Sequence, residues 1–314
     1  MRNNIRNRFY ISVPADFNFW RTVYSHGWSS LKPFSVDKEN QSLDRLLQLN
    51  NNKLVYARIS SSSSGKLRVA YQTKQTLNES EKKELIRQIK NCLRMGENFE
   101  EFYTIVKKDK EFSWVYDLKA GRLLRSPTVF EDIVKLICTT NCSWSLTEVM
   151  VNNLTTKLGK KILLNEGAGI SKELFSFPTP KAIANVDEKY LRSEIRAGYR
   201  APYLLELAKR ADSTELNLES WKNDQLSTDE LFKMVTSIKG IGPYAAGNML
   251  KLLGYYDHLA IDSWCRTKFF QRHKSGRKVS DKSIEKFYSS YGKWRGLFFW
   301  MDVTKDWYEH KFPF

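Results

Sequence analysis

The residues whose types and spacing suit chemistry best lie between positions 227 and 270. A helix is predicted over residues 228–239, and a second helix over residues 243–254. Between them, Gly240-Ile241-Gly242-Pro243 predicts a tight turn, because two glycines around one apolar residue make a turn that other residues make only with strain. Pro243 fits the first turn of a helix, where its missing N–H is not needed.

The free N–H groups at the start of the second helix offer a binding site for an anion. They lie at Tyr244 and Ala245, and they point outward from the turn. Together with the helix dipole they suit a phosphate oxygen, and Gly242 leaves room for a close approach of the backbone. An ordinary helical hairpin is the alternative interpretation of the same pattern.

Asp262 stands a short loop beyond the second predicted helix and directly before another helical stretch. An aspartate at that position serves well as a helix N-cap, which is the structural interpretation. A carboxylate beside a turn that binds phosphate can also stabilise an oxocarbenium-like sugar and orient a water molecule. These are the requirements for breaking an N-glycosidic bond.

Several stretches resemble one enzyme superfamily. Residues 238–246, followed by Ile261-Asp262-Ser263-Trp264, resemble the helix-hairpin-helix, glycine/proline-rich loop and aspartate signature of the base-excision DNA glycosylases. Residues 122–131, 137–144 and 198–203 resemble further motifs of the 3-methyladenine and 8-oxoguanine glycosylases, so the resemblance covers about residues 119–314. It implies an enzyme that flips a damaged base out of duplex DNA, with Asp262 as the catalytic residue.

The resemblance also implies roles for other residues. Asn141 matches a position whose amide contacts the base left unpaired, and Tyr199 matches a residue that wedges beside the vacated site. Arg200 would contact bases or phosphate. A helix cap or a loop hydrogen bond for Asn141, and packing or surface charge for the other two, are the alternatives. Four aromatic residues are candidate walls of a base pocket, although their helical spacing is also typical of a core: Trp144, Trp294, Phe298 and Trp300.

Tyr244 indicates which branch of chemistry to expect. Bifunctional members of the superfamily carry a lysine at the matching position, and that lysine attacks the sugar and forms a Schiff base. A tyrosine cannot do so, and Lys239, which precedes the turn, is interpreted as a phosphate or solvent contact. The resemblance therefore implies a monofunctional enzyme, in which water attacks with help from Asp262 and the strand stays intact at an abasic site.

No cofactor is expected to be required. The four cysteines do not form the cluster that an iron–sulfur centre or a zinc ribbon needs, which argues against the iron–sulfur branch of the superfamily. In related hairpins, backbone carbonyl groups hold a monovalent cation. The matching carbonyl groups here belong to Thr236, Ile238 and Ile241.

The elements that position these residues fall into two parts. Residues 9–13, 43–49, 53–59 and 66–72 are predicted strands, residues 79–93 a helix, and Asp16 the cap of a short helix. After about residue 118 the pattern is almost purely helical, and Thr128 with Glu131 predicts a capping box. The predicted fold class is α+β, with an antiparallel-sheet domain at residues 1–118 and a mainly α-helical domain, containing the helix-hairpin-helix, at residues 119–314.

Composition narrows the partner and the location. The chain of 314 residues has 51 lysine and arginine against 35 aspartate and glutamate residues, a net charge of +16, which favours an anionic polymer. Hydrophobic residues make up 41%, which excludes wholesale disorder, and no apolar stretch reaches the length of a membrane span or signal peptide. We expect damaged double-stranded DNA as the partner, no membrane, a monomer, and a cytoplasmic location, nucleoid-associated in a prokaryote or nuclear in a eukaryote.

The expected function is removal of a damaged purine from DNA by a monofunctional glycosylase. Alkylated purines are the first choice, because their positive charge weakens the glycosidic bond and favours an electron-rich aromatic pocket. An oxidised purine, as in 8-oxoguanine glycosylases, is the alternative within the same class. A non-catalytic helix-hairpin-helix DNA-binding protein is the alternative from another class, and Asp262 discriminates, since a binder needs no carboxylate facing the DNA.

Overall fold

The computed structural model describes residues 5–62, 65–167, 170–222 and 226–309. Its N-terminal part is an antiparallel sheet of five strands: β1 (Ile5–Ser12), β2 (Ser35–Asp37), β3 (Ser42–Gln48), β4 (Leu54–Ser61) and β5 (Lys66–Thr73). The strands lie in the order β1-β5-β4-β3-β2. Burial alternates along β5, where Leu67, Val69 and Tyr71 face the core while Lys66 and Arg68 face solvent.

Two helices belong to the same sheet unit, α1 (Phe19–Val23) and α2 (Glu79–Cys92). The cap of α1 differs from the prediction. Asn18 is the N-cap and its side chain accepts a hydrogen bond from the Arg21 N–H at 3.2 Å. Asp16 instead accepts from the Arg122 guanidinium at 2.7 Å, because pairing with that buried charge stabilises the carboxylate more than an exposed cap would.

The rest of the described chain is mainly helical: α3 (Glu100–Lys108), α4 (Ser113–Asp117), α5 (Val129–Thr139), α6 (Trp144–Leu158), α7 (Pro180–Ala184), α8 (Glu188–Ser193), α9 (Ala201–Asp212), α10 (Thr228–Thr236), α11 (Pro243–Leu253), α12 (Ser263–His273), α13 (Asp281–Tyr288), α14 (Arg295–Val303) and α15 (Lys305–Glu309). Together with the sheet, these helices confirm the predicted α+β fold class. Within the described ranges, no helix is both long and apolar enough to cross a membrane.

A hairpin of two strands interrupts the helical part, where the sequence predicted helices alone. Strands β6 (Lys161–Gly167) and β7 (Ile170–Phe175) pair antiparallel. Ile162 and Leu164 are buried against Leu46 and Tyr56 of the large sheet. The hairpin therefore covers apolar side chains of the sheet that would otherwise meet water, a long-range demand that the local pattern does not show.

At α5 half of the predicted capping box forms. The Thr128 hydroxyl accepts from the Glu131 N–H at 3.2 Å, as predicted. The Glu131 carboxylate does not return the bond, because it pairs with Arg45 at 2.5 Å and with Lys135 at 2.7 Å. These ion pairs are buried, so the carboxylate is needed where the two cations lie.

The interior forms two large apolar clusters. The first joins the sheet, α1 and α2 with α5 to α11, and the second joins α3 and α4 with α12 to α15. Trp300 packs against both. The predicted boundary between residues 118 and 119 stays a prediction, and the clusters do not follow it, since α3 and α4 precede it and pack with the C-terminal helices.

Candidate active site

The connection between α10 and α11 occupies residues 237–242, so α10 ends three residues before the predicted end at residue 239, while the two glycines lie in the turn as predicted. Gly240 has a φ of +88°, and a Cβ there would lie 2.6 Å from the ring of Tyr203 on α9. Both the backbone conformation and the close packing thus require glycine. Gly242 has an ordinary φ of −91° and open space where a Cβ would stand. It is the exposed N-cap of α11, and Pro243 follows in the first turn.

The first turn of α11 presents backbone N–H groups outside the helical ladder. Ala246 makes the first intrahelical bond, from its N–H to the Gly242 carbonyl at 2.9 Å. The N–H groups of Tyr244 and Ala245 precede that bond. The Ala245 side chain is buried in the core, so its contribution to binding rests on the backbone alone.

Asp262 is the N-cap of α12. Its Oδ1 accepts from the Cys265 N–H at 2.7 Å, so the capping role is real, yet the side chain is only half-buried. The Tyr244 side chain lies close enough to this carboxylate for the two groups to interact electrostatically. Burial and then the Asp262 charge raise the pKa of Tyr244 above its usual value, which keeps the phenol protonated.

Close packing fixes where Asp262 lies. The chain returns from α11 through Gly254, which has a φ of +102°, and reaches Ala260, which has a φ of +56°. A Cβ at Gly247 would lie 2.9 Å from the Ala260 side chain, so glycine at that position lets the loop lie against α11. Gly247 was not singled out from the sequence, although a glycine inside a helical pattern is a signal for such an approach.

The C-terminus of α11 is held by two arginines from elsewhere. The Arg94 guanidinium donates to the Lys251 carbonyl at 2.8 Å and to the Leu252 carbonyl at 2.5 Å. Arg125 donates to the same Leu252 carbonyl at 3.1 Å. These bonds satisfy carbonyl groups that the helix end leaves open, and they anchor the hairpin to the sheet unit.

Tyr199 and Arg200 both contact Thr140, the residue that precedes Asn141. The Tyr199 hydroxyl donates to the Thr140 carbonyl at 3.2 Å, and Arg200 donates to the same carbonyl. Tyr199 is 45% exposed, whereas Arg200 is 3% exposed and lies 4.4 Å from the centroid of the Tyr199 ring. Arg200 therefore supports the exposed ring and is not a surface charge. The DNA-binding roles of Asn141, Tyr199 and Arg200 stay predictions.

The four predicted pocket walls separate into two pairs. Trp144 is half-buried and donates from its indole to Ser30 at 3.2 Å, and its ring packs against Gly27, where a Cβ would lie 2.3 Å from it. Trp300 is also half-buried, and its indole donates to the Ser25 carbonyl at 3.1 Å. These two rings line the junction between the helices and residues 25–30, so both remain candidates.

Trp294 and Phe298 belong to the core, which corrects their prediction as pocket walls. Trp294 stacks on Tyr256 with ring centroids 5.2 Å apart. Phe298 is 0% exposed, and its ring stacks on Tyr291 with centroids 3.8 Å apart. Their ring faces are already covered, so a flipped base cannot stack on them. Helical spacing of aromatic residues does not distinguish a core from a pocket.

Lys251 is a charged residue near the site that the sequence analysis did not single out. It lies seven residues after Tyr244 on α11, hence on the same helix face, and it is 2% exposed. Its Nζ lies 4.6 Å from the centroid of the Trp300 ring. Burial lowers the pKa of Lys251 to about 8, an effect that Cys265 and Asp262 partly oppose. A lysine inside the apolar stripe of a helix was the available signal.

The positions of the hairpin carbonyl groups are compatible with the predicted monovalent cation, whose binding stays a prediction. The Ile238 carbonyl accepts from the Ile241 N–H at 3.1 Å, which leaves it a second lone pair. The Thr236 hydroxyl donates to the Phe232 carbonyl at 2.8 Å, which holds that side chain against its own helix. Among the described residues, no group of histidine, cysteine and carboxylate side chains is suited to hold a metal ion.

No family profile and no curated protein sequence matches the chain. A 3-methyladenine DNA glycosylase from Archaeoglobus fulgidus is similar over 96% of this chain and 99% of its own, with a TM-score of 0.74 and 22% identity. MBOgg1, solved with a low-affinity DNA ligand, is similar over 95% and 96% respectively, with a TM-score of 0.72 and 20% identity.

A third similar structure comes from Clostridium acetobutylicum. It is an 8-oxoguanine glycosylase/lyase solved with double-stranded DNA that carries cytosine opposite 8-oxoguanine. The similarity covers 89% of this chain and 99% of that one, with a TM-score of 0.62 and 20% identity. The chain has the fold of these DNA glycosylases. The resemblance seen in the sequence motifs therefore extends through nearly the whole chain, including the N-terminal sheet.

Proposed function

We propose that this protein is a monofunctional DNA glycosylase, which flips a damaged purine out of duplex DNA and hydrolyses its N-glycosidic bond. The observation that carries the proposal is the position of the Asp262 carboxylate. It is half-buried, accepts a hydrogen bond from the Cys265 N–H and interacts electrostatically with Tyr244, one loop beyond an exposed hairpin. A helix cap alone would not need to lie beside a residue of the turn that is proposed to bind phosphate.

In this proposal the hairpin holds the DNA backbone. The exposed Gly242 lets a phosphate approach the N–H groups at the start of α11, where the helix dipole favours an anion. The exposed ring of Tyr199 would enter the space that the flipped base vacates. Tyr203 packs on the hairpin turn and its ring lies 6.2 Å from that of Tyr199, so the two DNA contacts belong to one surface.

The chemistry follows from the carboxylate. As the bond between C1′ and the base nitrogen breaks, both electrons go to the base, and positive charge develops on the sugar. The fixed Asp262 carboxylate stabilises that charge and accepts a proton from the water molecule that bonds to C1′. Tyr244 lies beside the carboxylate and supplies no nucleophile. The product is an abasic site in an intact strand.

We extend the proposal to the binding partner, the cellular location, the cation and the lesion. The partner is damaged double-stranded DNA bound by a monomer in the cytoplasm or nucleus, without a required cofactor. A monovalent cation would be held by the backbone carbonyl groups of Thr236, Ile238 and Ile241. The lesion is either an alkylated or an oxidised purine. An aromatic pocket would favour an alkylated purine, but two of the four candidate rings, Trp294 and Phe298, lie in the core.

Asp262→Asn tests the proposal against a merely structural role for this residue. Asparagine is also a good N-cap, so the fold should persist. We expect base release to fall by about 100-fold or more, since a group that acts on the transition state is lost, while binding to abasic-site DNA stays within about threefold. The measurement is single-turnover release from a panel of duplexes carrying alkylated and oxidised purines.

Asp187→Asn is the matched control. Asp187 is the N-cap of α8 and accepts from the Tyr190 N–H at 2.7 Å, so the same substitution tests capping away from the site. It should leave the release rate unchanged. Near-normal release by Asp262→Asn would contradict the catalytic assignment. DNA binding without base release from any duplex, by the unsubstituted protein, would favour the non-catalytic DNA-binding alternative.

A further inference from the structure

Lys251 is a buried cation without an opposite charge beside it. Among the described residues its ammonium group has no ion-pair partner, and the aromatic face of Trp300 is its close contact at 4.6 Å. The contrast with Lys135 is clear, since that buried lysine pairs with Glu131 at 2.7 Å. A buried charge costs free energy unless it is paired, so the fold keeps Lys251 at a cost.

The position of Lys251 connects this cation to the candidate active site. Tyr244 and Lys251 share one face of α11, and the Asp262 charge acts on both. Side chains on a helix lean toward its N-terminus, which is the end of α11 that carries Tyr244. Trp300, which covers it, is half-buried and is one of the two remaining candidate pocket walls.

We propose that Lys251 selects uncharged damaged purines, by donating a hydrogen bond from its ammonium group to an acceptor atom of the flipped base. The inference rests on the proposed glycosylase function and names the substrate class of that same site. The flexible stem of lysine lets the ammonium group leave the Trp300 face for a carbonyl oxygen or ring nitrogen of the base. The binding of such an acceptor supplies the partner that Lys251 lacks in the free protein.

The charge of the departing base explains why the selection favours uncharged lesions. An uncharged purine leaves as an anion when it takes both electrons of the C1′–N bond, and it then gains a proton from solvent. An ammonium group beside it stabilises that developing charge. A purine alkylated to a cation leaves as a neutral molecule and is repelled by the same ammonium group while it is bound. Oxidised or deaminated purines fit this site, and cationic alkylated purines do not.

The test is single-turnover base release from matched duplexes. Two carry uncharged lesions, 8-oxoguanine and hypoxanthine, and two carry cationic lesions, 3-methyladenine and 7-methylguanine. We expect the unsubstituted protein to release at least one uncharged base about tenfold faster than either cationic base. Lys251→Met should lower release of that uncharged base by about 10- to 100-fold, the loss expected for one hydrogen bond to a charged donor, without slowing the cationic bases.

Stability and charge controls separate selection from folding. Lys251→Met removes an unpaired buried charge and keeps the apolar stem, so its unfolding temperature should equal or exceed that of the unsubstituted protein. Lys251→Arg keeps the charge and should retain the preference for the uncharged base. Lys181→Met, which changes an exposed lysine on α7, should leave the ratio of release rates unchanged.

The dependence of the release rate on pH distinguishes a role of Lys251 in substrate binding from a purely structural role, which would not change it. Release of the uncharged base should fall as the pH rises through about 8, where Lys251 loses its proton, and Lys251→Met should lack this limb. Burial moves the pKa values of Tyr244, Cys265 and His26 away from this range, so these groups keep their protonation state across it. The charged or titratable groups around Lys251 are Tyr244, Asp262, Cys265, His26 and Arg94.

The outcomes distinguish the inference from the proposed function. Faster release of a cationic base by the unsubstituted protein, or an unchanged ratio in Lys251→Met, would overturn the selection by Lys251 and leave the glycosylase proposal intact. Release of no base from any of the four duplexes would count against the glycosylase proposal, and the inference would fall with it.

Discussion

In the proposed function, the choice between hydrolysis and strand cleavage depends on Tyr244. The resemblance places it at the hairpin position where an attacking lysine would be required, and its raised pKa keeps the phenol protonated. The nearest lysine along the chain, Lys239, pairs with Glu206 of α9 at 2.7 Å and is exposed. It is thus held on the outer side of the turn.

We therefore predict no covalent complex between protein and DNA on borohydride treatment, and no strand cleavage without added alkali or endonuclease. An imine needs an unprotonated amine within reach of the sugar, and a phenol cannot form one. The measurement is gel analysis of a lesion-bearing duplex after borohydride, with a glycosylase/lyase as the positive control. A trapped adduct would contradict the monofunctional assignment. An adduct at Lys251 would in addition overturn its proposed role as a hydrogen-bond donor.

Residues whose roles depend on their neighbours in sequence could be predicted. The spacing of Gly240 and Gly242 defined the turn, and the position of Asp262 before a helix defined the cap, so both features could be predicted. The roles of Lys251 and Gly247 were not predicted, because they depend on the residues that pack against them. Trp300 packs against Lys251, and Ala260 packs against Gly247. The exposure of a side chain is likewise decided by distant elements, as Phe298 shows.

At the scale of elements, the two hairpin glycines should respond differently to alanine. Gly240→Ala forces a φ of +88° on a residue with a Cβ and drives that Cβ against Tyr203, so we expect a loss of about 1–3 kcal/mol in the free energy of unfolding. Gly242→Ala meets open space at an ordinary φ and should cost less than about 1 kcal/mol, because alanine is only a poorer N-cap. Denaturant unfolding measures both.

The two variants should also differ in DNA affinity, and their stabilities do not explain this difference. Gly242→Ala places a methyl group where the proposal puts a phosphate, so its affinity for abasic-site DNA should fall by about tenfold although it stays folded. Unchanged affinity in a folded Gly242→Ala variant would count against phosphate binding at this turn. Equal stability of the two variants would show that the turn relaxes around Gly240.

The elements themselves were predictable to different degrees. Strands β3, β4 and β5 follow the alternation of apolar residues and lie within a few residues of the predicted ranges. The β6–β7 hairpin was missed because its apolar residues serve the far face of the large sheet, which is distant in sequence. Only half of the predicted capping box at α5 forms, again because of a contact that is distant in sequence. Glu131 pairs with Arg45, 86 residues away.

At the scale of the whole molecule, the site is a product of the way the two core clusters meet. Trp300 packs against both, and its indole bonds to Ser25 of the sheet unit, 275 residues away in sequence. Arg94 reaches from the end of α2 to the C-terminus of α11, across 157 residues. Local sequence patterns do not predict such contacts. Only the resemblance to known motifs predicted that segments distant in sequence form one site.

The net charge of +16 belongs to the molecule as a whole and leads to the last prediction, a steep dependence of DNA affinity on salt. Each phosphate that a cationic side chain neutralises releases counterions and adds about −0.9 to the slope of log affinity against log salt concentration. Several such contacts, expected from a surface this basic, give a slope steeper than about −2.7. Titration of an abasic-site duplex between about 50 and 200 mM salt measures it.

The same titration on undamaged duplex separates attraction to the backbone from recognition of the flipped nucleotide. Attraction to phosphate does not depend on the lesion, so the two slopes should agree within about one phosphate contact, while affinity for the abasic site stays higher at every salt concentration. A slope near zero on both duplexes would contradict backbone binding. Equal affinities with a steep slope would mean that the charge alone holds the DNA and that Tyr199 and the hairpin recognise nothing further.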